Sequence, residues 1–141
     1  MFKECLLSDC KEHLDKVIRA LKLYEKRIRK HSAGFMYPSL ETFLESCTDC
    51  TFCTVYDNYF IAAEVGCQWW DKDTPVLFEC LVLSIGKHEQ EGSFVDALDY
   101  FKEISGCKYI SFGTQSMQNH ALGKLLEDNG YVPYGGFYCK E

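Results

Sequence analysis

Residues 75–85 read Pro-Val-Leu-Phe-Glu-Cys-Leu-Val-Leu-Ser-Ile, a nearly continuous apolar run interrupted by a single charge, Glu79. A run of this length, rich in branched side chains, predicts a central strand buried on both faces. A polar loop follows at 86–92. Ser93 to Ser105 then places Phe94, Leu98, Phe101 and Ile104 on one face at helical spacing. Ser93-x-x-Asp96 resembles a capping box with Asp in place of Glu, and Gly106 supplies the stop. Lys108 to Gly113 predicts another strand. Asn119 to Asp128 predicts a helix that opens on a good N-cap and ends at Asn129-Gly130. Strands alternating with helices in this way imply a partly parallel sheet. The fold class expected is therefore α/β, an α+β mixed sheet.

Working toward the N-terminus, Thr51–Asp57 and Tyr59–Val65 read as two strands around a tight Asp57-Asn58 turn. Trp69 to Asp73 reads as a loop, Ser39 to Ser46 as a short helix, and Phe35 to Pro38 as a linker. Leu14, Val17, Ile18, Leu21, Tyr24 and Ile28 mark the buried face of a longer amphipathic helix. Asp9-x-x-Glu12 would cap its start, and His31, Ser32 and Gly34 its end. Phe2 to Leu7 reads as a first strand, and Tyr131 to Cys139 as a last strand or hairpin turning at Gly135-Gly136. The expected order is β-α-α-β-β-β-α-β-α-β. No repeat or low-complexity linker interrupts it, so residues 1–141 are expected to form one domain.

Composition narrows the function classes. The chain has 141 residues, 47% hydrophobic and 26% charged, which excludes a mainly disordered chain. No run of about 18 apolar residues is present, so no membrane span is expected, and the first residues lack a secretory pattern. Nine cysteines, an odd number in a chain long enough to fold without staples, suggest reduced thiols in a cytoplasmic setting. Aromatic residues at 15% suggest a dense core or a sticky surface, with Trp69-Trp70 as a candidate contact or a packed pair.

The net charge of −6 is uneven. Residues 11–30 hold eight Lys/Arg and three Asp/Glu, whereas residues 31–141 hold six and sixteen. The acidic body argues against nucleic acid. The basic stripe of Lys16, Arg19, Lys22, Lys26 and Lys30 is either a solvated helix face or a contact for an acidic partner.

The order of elements resembles the GNAT superfamily of N-acetyltransferases over nearly the whole chain. The resemblance is sharpest at 75–131, where the eleven-residue step from Asn119 to Gly130-Tyr131 matches the common spacing of the family. It implies that acetyl-CoA is the cofactor and an amine the acceptor. The implied cofactor contacts are Ile85, His88, Gly92, Ser93, Phe94 and Asn119. The implied general base is a Glu on the central strands, Glu79 or Glu64. The family loop Arg/Gln-x-x-Gly-x-Gly/Ala is degenerate here. It aligns with His88-Glu89-Gln90-Glu91-Gly92-Ser93, which puts two carboxylates where a diphosphate would lie. Like charges ~4 Å apart cost about 1–4 kcal/mol near a protein surface. The general-acid Tyr of many members is replaced by Leu126. Chain length, the acidic loop and the Asn119…Gly130-Tyr131 end also resemble, more loosely, small GNAT-like proteins of short-tailed bacteriophages. Some of those are virion or assembly proteins, so a non-catalytic interaction module is the second expectation.

Cys47-x-x-Cys50-x-x-Cys53 is the most metal-like spacing in the chain. It would make a small metal-binding regulator if His31 or Cys67 supplied a fourth ligand. The competing reading is ordinary reduced cysteines, and no metal is assigned from sequence.

Overall fold

The computed structural model describes residues 11–30, 39–113 and 120–133, with the backbone alone for Lys11, residues 28–30 and His120. The expected strand at Phe2–Leu7, the stop at His31–Gly34, the linker at Phe35–Pro38, Asn119 and the end beyond Pro133 lie outside the described residues.

A 3-10 turn, Lys11–His13, leads into α1 (Leu14–Lys30), followed by α2 (Leu40–Thr48). The strands are β1 (Phe52–Tyr56), β2 (Tyr59–Gln68), β3 (Asp71–Ser84) and β4 (Tyr109–Ser111). Helix α3 (Phe94–Ser105) connects β3 to β4, and α4 (His120–Asp128) follows. The sheet order is β1-β2-β3-β4. The first three strands are antiparallel neighbours, and β4 joins β3 in parallel, giving the mixed sheet expected from sequence. Parallel neighbours need a long crossover connection, which α3 supplies between β3 and β4.

Local chemistry sets these elements. Asp57 and Asn58 take φ of 46° and 56°, the left-handed pair that a two-residue hairpin needs. Asp and Asn tolerate that region better than other non-glycine residues. Ser39 caps α2 by accepting the Thr42 N–H at 3.2 Å. Gly106 ends α3 at φ 71°.

Two apolar clusters lie on the two faces of the sheet, and β2 feeds both by simple alternation. Tyr59, Ile61 and Ala63 join Leu77, Leu98, Phe101 and Leu126 on one side. Phe60 and Ala62 join Val17, Leu21, Cys47, Val55 and Leu81 on the other. Phe52 stacks on Phe101 with centroids 4.5 Å apart.

Five expectations are corrected, one of them Ile104, expected on the buried face of α3 and found 47% exposed. The strand most fully buried on both faces is the first half of β2, whereas in β3 Glu79 and Val82 are half-buried and Cys80 is exposed. The reason is that β4 is short. Its parallel pairing with β3 stops at Phe78↔Ser111, which leaves the rest of β3 without that neighbour. The loop expected at Trp69–Asp73 is a two-residue turn, Trp69-Trp70, and Asp71–Asp73 already belong to β3. Ser93 does not cap α3 with its side chain, because its hydroxyl is engaged elsewhere. Leu14, expected on the buried face of α1, is 40% exposed.

Candidate functional site

Glu79 lies one residue past the end of the β3–β4 ladder, beside a register shift in the β2–β3 pairing. There Ala62 faces Leu81 and Ala63 faces Glu79, so Cys80 is the extra residue of a β-bulge. Bulges re-aim side chains, and this one falls just past the last β3–β4 pair. The Gly113 N–H, two residues beyond β4, donates to a Glu79 carboxylate oxygen at 3.3 Å. Burial pushes the Glu79 carboxyl up to about 8, against the opposing pull of the Gly113 and Val82 N–H groups.

Two tyrosines feel the charge of Glu79: Tyr24 from α1 and Tyr131 just beyond α4. The Tyr131 hydroxyl is buried without a hydrogen-bond partner. Burial, followed by the charges of Asp99 and Glu79, raises its pKa, so the group keeps its proton. An orphaned buried hydroxyl is rare enough in native structures to require an explanation. Leu126, at the family's general-acid position, is 7% exposed and belongs to the core.

The loop after β3 is fastened to the β1–β2 turn. The N–H groups of Glu89 and Gln90 donate to the two oxygens of the Asp57 carboxylate at 2.7 and 3.1 Å, and the Ser93 hydroxyl donates to it at 2.7 Å. These donors hold the Asp57 carboxyl below its ordinary range, the Glu89 N–H first among them. The Asp57 carbonyl can only accept, so the His88 Nδ1 at 2.7 Å carries the proton. His88 also stacks on Tyr59 with centroids 3.7 Å apart, and its Nε2 meets the Ser84 hydroxyl at 2.8 Å. The Tyr59 hydroxyl in turn accepts the Gly92 N–H at 3.0 Å. Asn58 Nδ2 donates to the Lys87 carbonyl, and the Ile85 N–H to the Asn58 carbonyl.

The candidate cofactor residues are therefore brought together, but largely on one another and on the turn. His88, Gly92 and Ser93 are committed to Asp57 and Tyr59, and Phe94 is buried in the first cluster. Ile85 packs on the second cluster, on the other face. Asn119 is outside the described residues. Sequence reasoning missed Asp57. The turn signal at Asp57-Asn58 was visible, but its partner loop lies some thirty residues away.

Glu64, the other candidate base, is exposed on β2. It does not join Glu79. Its carboxylate instead lies with the thiols of Cys50 and Cys80, the three ligand atoms all within 4.8 Å of one another. The Cys47/Cys50/Cys53 spacing does not produce a metal cluster among the described residues. Cys47 is buried in the second cluster, Cys53 packs at its margin, and Cys67 is exposed on β2. His31 is outside the described residues. On α1, Lys16, Arg19, Lys22 and Lys26 are exposed, while the side chain of Lys30 is not described. Trp69 and Trp70 are 82% and 61% exposed and meet edge to face at 5.4 Å. No described helix is long and apolar enough to cross a membrane.

A mixed sheet of three antiparallel strands, with a fourth joined in parallel through a helix, is the arrangement of the GNAT acetyltransferases, and the chain has that fold. The aminoglycoside N-acetyltransferase AAC(6')-Iy in complex with CoA superposes with a TM-score of 0.59 at 17% identity, covering 92% of this chain and 90% of that one. A putative acetyltransferase from Agrobacterium tumefaciens gives 0.57 at 12%, covering 92% and 94%. An aminoglycoside acetyltransferase from an uncultured soil metagenomic sample gives 0.56 at 8%, covering 92% of each. No protein-family model matches the chain, and no curated protein matches it.

Proposed function

We propose that the chain is a GNAT-type N-acetyltransferase that moves an acetyl group from acetyl-CoA to an amine, with Glu79 as general base. One observation carries this reading. The Glu79 carboxyl, pushed up to about 8, lies just past the end of the β3–β4 ladder, within electrostatic reach of the buried Tyr131 hydroxyl, which has no hydrogen-bond partner among the described residues. A base whose pKa is near the working pH transfers protons most effectively.

The two ends of the cofactor fit differently. The orphaned Tyr131 hydroxyl and the Glu79 carboxylate suit a thioester and an incoming amine. The diphosphate end does not find the usual donors free, because the Glu89 and Gln90 N–H groups and the Ser93 hydroxyl already hold Asp57. Acetyl-CoA would supply an acetyl group activated as a thioester. Ionised Glu79 would take a proton from the acceptor's ammonium group, which frees the nitrogen lone pair for attack. Gly113 and Val82 keep the carboxylate aimed by donating their N–H groups to it. Tyr131, which keeps its proton, would give it to the departing thiolate sulfur.

The filled loop favours a second reading, a non-catalytic GNAT-fold interaction protein. A carboxylate from the chain itself already satisfies the anion site that a helix start and its loop would offer. Thermal melting with 1 mM acetyl-CoA separates the two. A Kd of about 10 μM stabilises the fold by about 2.7 kcal/mol, a rise on the order of 5–10 °C for a chain of this size. Such a rise, reproduced by CoA itself and accompanied by acetylation in an amine panel that Glu79→Gln abolishes, supports the enzyme. No rise in the wild type refutes it. If Asp57→Gly then does respond, the loop is an anion site closed by Asp57. Glycine keeps the positive φ accessible while removing the carboxylate.

A further inference from the structure

We propose that Cys50, Glu64 and Cys80 form a binding site for a soft divalent metal ion of the zinc class, with a fourth position open to water. The three residues come from separate parts of the fold: the turn after α2, the outer half of β2, and the bulge of β3. Their ligand atoms nevertheless lie within 4.8 Å of one another. Two thiolates on a tetrahedral zinc, each with a bond of about 2.3 Å, stand roughly 3.8 Å apart. Closing the site therefore requires movements of an ångström or less from side chains that are half-buried or exposed. The bulge is the structural cause, since the extra residue, Cys80, would face elsewhere in an unbroken ladder.

The chemistry of the donor set selects the metal. Two sulfurs and one carboxylate suit zinc, whereas calcium and magnesium require oxygen alone. Without a metal the thiols are poor nucleophiles. Burial, then the neighbouring Cys80, pushes Cys50 up to about 12, and burial also raises Cys80. A divalent cation reverses that preference by stabilising both thiolates. The Cys50 thiol now donates to the Ser46 carbonyl at 3.3 Å, a weak contact that metal ligation would replace.

The site is independent of the acetyltransferase reading, because none of its ligands is Glu79, Tyr131 or part of the loop. The test is titration of the reduced chain with Co²⁺, followed by displacement with Zn²⁺. The expected result is one equivalent bound, with a thiolate-to-cobalt charge-transfer band and the strong visible bands of tetrahedral geometry, all bleached by Zn²⁺. Cys50→Ser and Cys80→Ser should each lose the charge-transfer band, Glu64→Gln should weaken binding, and Cys67→Ser and Cys107→Ser should leave the spectrum unchanged. If either cysteine variant fails to fold, mass mapping of alkylated thiols in the wild type decides: Zn²⁺ should protect Cys50 and Cys80 and leave Cys67 reactive. No cobalt spectrum, a spectrum that survives in Cys50→Ser, or protection elsewhere overturns the proposal. So does rapid pairing of Cys50 with Cys80 as a disulfide in air with no metal bound.

Discussion

Replacing Glu79 by Gln tests the electrostatics around this carboxyl directly. The carboxyl moves from an ordinary 4.5 to about 8 on folding. At 1.36 kcal/mol per unit, the ionised form is disfavoured in the folded state by about 5 kcal/mol once fully developed. The sign follows from proton counting. Below pH 4.5 both folded and unfolded chains hold the proton, so the group costs nothing. Between pH 4.5 and 8 the unfolded chain releases it first, and stability falls as pH rises. By pH 7 the loss is about 3 kcal/mol, and above pH 8 it levels off near 5. Gln cannot titrate but can still accept the Gly113 N–H. The stability gained by Glu79→Gln should therefore grow from near zero at pH 4.5 to about 5 kcal/mol above pH 8. Urea unfolding followed by far-UV circular dichroism at several pH values measures this. Tryptophan fluorescence is a poor probe, because Trp69 and Trp70 are already largely exposed. Parallel wild-type and variant curves across the range would refute both the raised pKa and the assignment of Glu79 as a base tuned near neutrality.

Two packing predictions follow from the same structure. Gly92 has φ +81°, and a Cβ there would lie 2.7 Å from Leu125 Cδ2, so Gly92→Ala should cost about 1–3 kcal/mol in chemical unfolding. Phe101 is 1% exposed and stacked on Phe52, so Phe101→Ala should cost about 3–5 kcal/mol, read as a lower denaturation midpoint with little change in the urea dependence.

Much of the fold was legible because it follows from short-range signals. The Asp57-Asn58 hairpin, the apolar face of α3 and its Gly106 stop, and the parallel connection through α3 all follow from local pattern. What was not legible depends on how neighbouring strands end. The apolar run at 75–85 reads as doubly buried, but burial on both faces needs neighbours along its whole length, and β4 provides only three residues. Sequence alternation also cannot register the bulge at Cys80, which separates Glu79 from Glu64 and gives them different surroundings. One inserted residue shifts every later side chain to the opposite face. The motif spacing at Cys47, Cys50 and Cys53 misleads for a related reason. Cys50 finds its thiol partner thirty residues on, across the sheet, and not within its own segment.

The acidic loop illustrates how a local reading leaves out what the rest of the chain brings to the same place. Glu89 and Glu91 point to poor binding of a diphosphate by charge repulsion. The structure adds that the backbone donors of the same loop are not empty, since the Asp57 carboxylate takes two of them together with the Ser93 hydroxyl. The N–H groups of a loop beside a helix start need acceptors, which water, a side chain or a ligand can supply, and a carboxylate is a strong one. Here the hairpin turn supplies it. The same bonds fix the turn against the loop, stack His88 on Tyr59 and seat Ser93 at the start of α3. The loop and the hairpin turn thus form a structural joint, and neither Glu79 nor Tyr131 takes part in these bonds. A GNAT fold arranged this way can retain proton-transfer groups while its grip on a phosphorylated cofactor is replaced, so cofactor binding and the Glu79 titration must be measured separately.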